Sequence, residues 1–137
     1  MPLDILAAQT LYGLPTSTPL SGGQTFGFNC NVQGPSGMFF DFTKNTTPVI
    51  TIWDMGTNNT LDLSGFSAAS NINLNAGSFG SCDGMTNNLA IAYNTAIDKV
   101  VCGTGNDIIV GNNDGDTLIG GGGNDVITGG SARRRCG

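Results

Sequence analysis

Histidine and glutamate are both absent from this 137-residue chain. Without histidine there is no serine or cysteine triad of the usual kind and no His-ligated zinc. Acidic chemistry rests on aspartate alone, with ten Asp in all. A surface that needed only solubility would use both carboxylates, whereas short Asp side chains suit a carboxylate held close to a tight backbone turn. Charge is scarce: 11% of residues, against roughly 25% in ordinary globular chains. Hydrophobic residues still make up 39%, which argues for a packed core and against simple disorder. Of the five basic residues, three are Arg133, Arg134 and Arg135, so residues 1–132 set Lys44 and Lys99 against ten Asp, a balance of −8. Such a body repels nucleic acid and anionic membranes and attracts cations. The arginine run therefore reads as a solvated tail, and no nucleic-acid partner is expected. No stretch is apolar enough to span a bilayer. The first 20 residues show neither a basic n-region nor a sustained apolar h-region, so export would need a route other than a signal peptide. Cys30, Cys82, Cys102 and Cys136 are widely spaced with no CxxC pair, which leaves disulfides and isolated thiols both open.

What the chain has in abundance is glycine, 22 residues, and turn-forming sequence. Residues 2–12 read as a short helix, with Pro2 in its first turn, Ile5, Ala8 and Tyr12 on one face, and Gly13 and Pro15 ending it. From residue 21 to about residue 93, short strand candidates alternate with turn clusters such as Gln33-Gly-Pro-Ser-Gly37 and Gly56-Thr-Asn-Asn59. The candidates are residues 24–28, 38–42, 49–53, 60–63, 72–74 and 89–93. Spacing of this kind predicts an all-β assembly.

A repeat then begins. Asp98, Asp107, Asp116 and Asp125 stand nine residues apart, each followed two positions later by an aliphatic residue: Val100, Ile109, Leu118 and Ile127. Gly120-Gly-Gly-Gly-Asn-Asp-Val-Ile-Thr128 fits the GGxGxDxUx nonapeptide of the parallel β-roll, where U is a large aliphatic residue. Cys102-Gly-Thr-Gly-Asn-Asp-Ile-Ile-Val110 fits except for its first residue, and residues 111–119 keep only Asp and U. Calcium takes six to eight oxygens from carboxylates and carbonyls alike. A glycine-rich loop can turn its carbonyls inward, and one Asp per loop adds charge. Because one loop offers too few ligands, two stacked loops must share an ion. In a two-sheeted roll, loops stack every second repeat, which pairs Asp107 with Asp125 and adds carbonyls from Gly103, Gly105, Gly121 and Gly123. On the other side Asp116 stacks on Asp98. Asp116 has no successor, since Arg134 occupies that position, so this face is expected to be open. Each repeat buries one U residue, worth about 1.5–3 kcal/mol, against backbone ordering of about 1–2 kcal/mol per residue. The repeats should therefore be unfolded without calcium and folded with it, at the roughly 10⁻⁴–10⁻³ M typical of extracellular calcium modules.

These repeats resemble those of the RTX family, and other motifs narrow the resemblance. The run Asp4-Ile-Leu-Ala-Ala-Gln-Thr-Leu-Tyr-Gly13 is similar to the last catalytic-domain helix of the serralysins, secreted bacterial zinc metalloproteases of the metzincin clan. Phe26-Gly-Phe-Asn29, Trp53-Asp-Met-Gly56, Thr60-Leu-Asp-Leu-Ser-Gly-Phe66 and Ile72-Asn-Leu74 are similar to successive motifs of the serralysin C-terminal domain. The resemblance covers residues 2–130 and implies several calcium ions. It adds Asp54 and the Gly56 carbonyl as ligands before the repeats, with backbone from the 22–24 region. It puts Asn59 where the family usually has an Asp shared between two ions, and it also makes Asp98 a ligand.

On this reading the chain is all-β, a parallel β-roll joined to a β-sandwich-like segment with one short N-terminal helix. The expected divisions are 1–14, a remnant of the catalytic-domain helix; 15–96, the sandwich-like segment; 97–130, the roll; and 131–137, a tail. The HExxHxxGxxH zinc motif of the serralysins is missing, as are the later repeats and the C-terminal secretion signal that the family carries. The chain is thus expected to be a fragment, without zinc and not catalytic by itself. Its expected role is a calcium-binding module that stabilises an extracellular protease exported by the type I route. Its expected partners are calcium ions and an upstream metalloprotease catalytic domain. The alternatives are the C-terminal half of a split or assembled zinc metallopeptidase, or a structural module of the RTX toxin or adhesin type.

Overall fold

The computed structural model describes residues 23–32, 37–54 and 56–130, and the backbone of 135–136. The N-terminal helix expected at 2–12 lies outside the described residues. Short strands dominate, in the order β1 (Thr25–Gly27), a single helical turn α1 (Gly37–Phe40), β2 (Ile50–Ile52), β3 (Thr60–Asp62), β4 (Asn71–Asn73), β5 (Phe79–Gly80), β6 (Leu89–Ile91), β7 (Lys99–Val101), β8 (Ile108–Val110), β9 (Thr117–Ile119), β10 (Val126–Thr128) and β11 (Arg135–Cys136).

The strands build two parallel sheets and a third, mixed one. The first has the order β1-β3-β7-β9-β11, the second β10-β8-β4, and the third β2-β6-β5. In the repeats the register is that of a roll with an 18-residue coil: Lys99 pairs with Thr117 and Ile108 with Val126. A three-residue strand points its central side chain one way and its two neighbours the other. The central residues Phe26, Leu61, Val100 and Leu118 of the first sheet, and Ile72 and Ile109 of the second, are buried in one common core, with Ile127 packed against it. This is the all-β, parallel β-roll architecture that the repeats predict.

Three features differ from the sequence reading. The parallel sheets do not begin at residue 97: Thr60 pairs with Lys99 and Asn71 with Ile108, so β3 and β4 form a coil of their own. No nonapeptide signal marks this coil, and aromatic side chains pack beside it. Phe28 packs edge-on against Phe42 and Phe66, and Phe26 against Phe40. The third sheet, β2-β6-β5, is built largely from an excursion between β4 and β7. Next, the run at 38–42, read as a strand, contains a helical turn closed by the Asp41 N–H donating to the Gly37 carbonyl (2.9 Å). A short apolar run is ambiguous between helix and strand, and here packing of Phe40 and Phe42 decides. Finally, the tail is not free of the roll, since β11 adds to β9 with Arg135 opposite Thr117. The face expected to be open after Asp116 thus carries one more strand.

Candidate metal centre

The loops that connect the two roll sheets stack in layers, and the repeat aspartates sit at their ends. On one side, residues 121–125 lie on residues 103–107, which lie on residues 66–70. Gly122 N–H donates to the Gly103 carbonyl (2.9 Å) and Thr104 N–H to the Phe66 carbonyl (3.2 Å). Gly121 and Gly123 have φ of +88° and +96°, and a Cβ on either would collide with the carbonyl of Gly103 or Gly105 beneath. These two glycines are therefore required by both conformation and layer spacing.

The aspartates follow the same ladder. Asp107 N–H donates to Asp125 Oδ1 (2.9 Å), and Ser70 N–H donates to Asp107 Oδ1 (2.7 Å). The structure thus brings Asp107 and Asp125 together, as the 18-residue stacking requires. Asp107 is 1% exposed. Burial pushes its carboxyl up from the ordinary carboxylate value; the Ser70 N–H offsets part of this and the charge of Asp125 adds to it. Ser70, itself buried, completes this layer. No repeat signal marks Ser70 in the sequence. Only the coil formed by β3 and β4 places it under Asp107.

On the other side, Asp116 lies next to Asp98: Thr117 N–H donates to the Asp98 carbonyl (2.9 Å). Asp98 Oδ2 accepts from the N–H groups of Asn58 (2.7 Å) and Asn59 (3.2 Å). Asp116 Oδ2 accepts from Asn112 N–H (2.6 Å). Burial pushes Asp116 up to about 6, the Asn112 N–H lowers it, and the negative charges of Asp114 and Asp98 raise it further. Asn112, not singled out in the sequence, fixes this loop by donating from Nδ2 to the Ile97 carbonyl (3.0 Å) and accepting Asp114 N–H at Oδ1 (2.8 Å).

A third cluster lies where the roll meets β2. Asp54 is fully buried, and its Oδ1 accepts from Gly56 N–H (2.7 Å). The Gly56 carbonyl and the Asn59 side chain, both expected as ligands beside it, are bonded to each other, Asn59 Nδ2 donating at 3.3 Å.

One observation tests whether these residues suit a cation. Asp107 Oδ2, Asp116 Oδ1 and Asp54 Oδ2 are buried oxygens with no hydrogen-bond partner. A buried carboxylate oxygen left unpaired costs several kcal/mol by general solvation arguments, on the order of 2–7 even for a neutral polar group. Stacked carboxylates among glycine carbonyls form a hard, all-oxygen donor set of the kind calcium takes. The residues on the Asp107 and Asp125 side are of the type that would hold calcium. Among the described residues no three Asp or Cys side chains converge on one point, so peptide oxygens must supply most of any coordination shell.

A family model, Peptidase M10 serralysin C terminal, matches residues 17–134. The chain belongs to this family. Among curated relatives, this serralysin C-terminal chain is 42% identical over 111 residues to Metallopeptidase AprA of Pseudomonas marginalis, covering 80% of the chain and 22% of that protein. It is 41% identical over 113 residues to Serralysin G of Dickeya chrysanthemi, covering 81% and 23%. It is 42% identical over 110 residues to Serralysin of Proteus mirabilis, covering 80% and 22%. The chain thus matches less than a quarter of the length of these proteins. Among its described residues no helix is long and apolar enough to cross a membrane.

Proposed function

We propose that this serralysin C-terminal chain is a calcium-binding module, not itself catalytic, whose roll is completed by ions between stacked loops. Asp107 and Asp125, with carbonyls of Gly103, Gly105, Gly121 and Gly123, would hold calcium on one side; Asp98 and Asp116 would hold it on the other. The bound ions supply positive charge to a stack of carboxylates that otherwise repel. The chain's own residues place those carboxylates, through the Ser70 and Asn112 N–H groups and the Asp107–Asp125 link. The observation that carries this reading is the pair of buried, unpartnered oxygens on Asp107 and Asp116. In the parent protein the module would follow a metallopeptidase domain, as the relatives' names suggest, and would stabilise it outside the cell, where calcium reaches the levels at which such modules operate.

Far-UV circular dichroism during a calcium titration tests this directly. The expected result is a gain of β signal with a midpoint of roughly 10⁻⁴–10⁻³ M, reversed by chelation. Asp107→Asn and Asp125→Asn should each raise the midpoint by roughly tenfold, because each removes one ligand charge. A spectrum that ignores calcium up to millimolar levels would overturn the proposal.

A further inference from the structure

We propose that Asn59 takes the place of a bound cation, latching the chain's return into the roll without calcium. Asn59 has no exposed surface. Its Nδ2 lies between two carbonyls from distant segments, Gly56 O (3.3 Å) and Ala96 O (3.1 Å). Its Oδ1 accepts Gln24 N–H (3.2 Å). All three partners are backbone groups with fixed polarity, so the amide can point only one way. Two carbonyls that converge beside the engaged carboxylates of Asp54 and Asp98 make an electronegative hollow. The amide N–H₂ fills that hollow with partial positive charge.

The backbone of Asn59 is spent as well. Its N–H donates to Asp98 Oδ2 (3.2 Å), and its carbonyl accepts from Asp98 N–H (2.9 Å) and Lys99 N–H (3.2 Å). Residue 59 therefore ties together Gln24, the turn at 56 and residues 96–99, where the excursion ends and β7 begins. This fixes the register of β7, the strand of the first repeat, on β3. The unpartnered oxygen of Asp54 does not make the hollow an ion site. Calcium needs six or more oxygens, and here the amide N–H₂ group itself stands between the two carbonyls, where an ion would have to sit.

The proposal rests on the calcium reading of the repeats only in using calcium as its probe. Calcium stoichiometry by equilibrium dialysis and thermal unfolding in chelator, both on the 137-residue chain, test it. Asn59→Asp sets a carboxylate against two carbonyls, so the variant should unfold earlier in chelator, bind one calcium ion more per chain than the parent, and regain its midpoint in millimolar calcium. Asn59→Ala should lower the midpoint in chelator by about 5–10 °C and leave the number of bound ions unchanged. Loss of an ion in Asn59→Ala would show that Asn59 is a ligand and overturn the proposal. So would an Asn59→Asp chain with the parent's stoichiometry, or one that fails to fold at any calcium level. A parent chain that binds no calcium at all sinks the reading of the repeats instead, and leaves the comparison at residue 59 standing.

Discussion

At the scale of single residues, the repeat glycines are not equivalent, although the sequence writes them as a run. Gly121 and Gly123 have positive φ and sit over carbonyls, whereas a Cβ on Gly122 would meet only Thr104 atoms at 3.6–3.8 Å. Gly123→Ala should therefore destabilise the folded chain by more than the roughly 1–2 kcal/mol of left-handed backbone strain, and Gly122→Ala by no more than about 0.5 kcal/mol. Chemical denaturation in saturating calcium reads the difference, and equal effects would refute the layer geometry. Cys102 stands where the nonapeptide has a glycine. Burial, followed by the charges of Asp107 and Asp125, pushes its thiol up to about 12. Only the thiolate reacts with alkylating reagents, so Cys102 should resist iodoacetamide at pH 8 in the folded chain and label once the roll opens in chelator. Mass spectrometry of the labelled peptide reads this, and rapid labelling in calcium would contradict it.

At the scale of elements, each roll strand is too short to hold by itself, and the loops decide whether a coil stands. The loop ahead of β9 carries the titration of Asp116. Its folded value of about 6 lies above the 3.8 of an unperturbed Asp. A raised folded value means that the folded form holds the proton more tightly. The stability this provides without calcium is complete below pH 3.8 and lost as the pH rises through about 6. Asp107 shifts in the same direction. In chelator, the β signal that is missing at pH 7 should therefore return in part as the pH falls towards 4, and Asp116→Asn should flatten that pH dependence. A β signal in chelator that weakens as the pH falls over this range would contradict the assignment. Calcium favours the ionised carboxylate, so saturating calcium should abolish the dependence.

At the scale of the whole molecule, two kinds of cohesion meet at β7. Upstream, Phe26, Phe42, Leu61, Leu63, Ile91 and Ile97 form an apolar core. Downstream, the coils of β8, β9 and β10 offer one aliphatic residue each, and Ile108 and Val126 remain exposed on the outer face. Stability should be uneven in proportion. In chelator, hydrogen exchange is expected to release the amides of β8–β10 while those of β2, β3 and β6 stay protected. Exchange of both regions at one common rate would show a single cooperative unit instead.

The nonapeptide alone determined the roll, its inward aliphatic positions and the pairing of Asp107 with Asp125. A strict period fixes which residues become neighbours once the backbone coils. The strands at 25–27, 50–52, 60–62, 71–73 and 89–91 were legible for the same local reason, as short β-rich runs between turns. The tertiary structure decided what no local pattern carries. It placed a coil without repeats beneath the first one, so that Ser70 came to meet Asp107. It turned residues 37–40 into a helix because aromatic packing outweighed a weak strand preference. It also set Asn59 between two carbonyls that come from positions 40 residues apart. Contacts of that kind depend on where an aperiodic segment re-joins the sheet, and only the folded chain specifies that place.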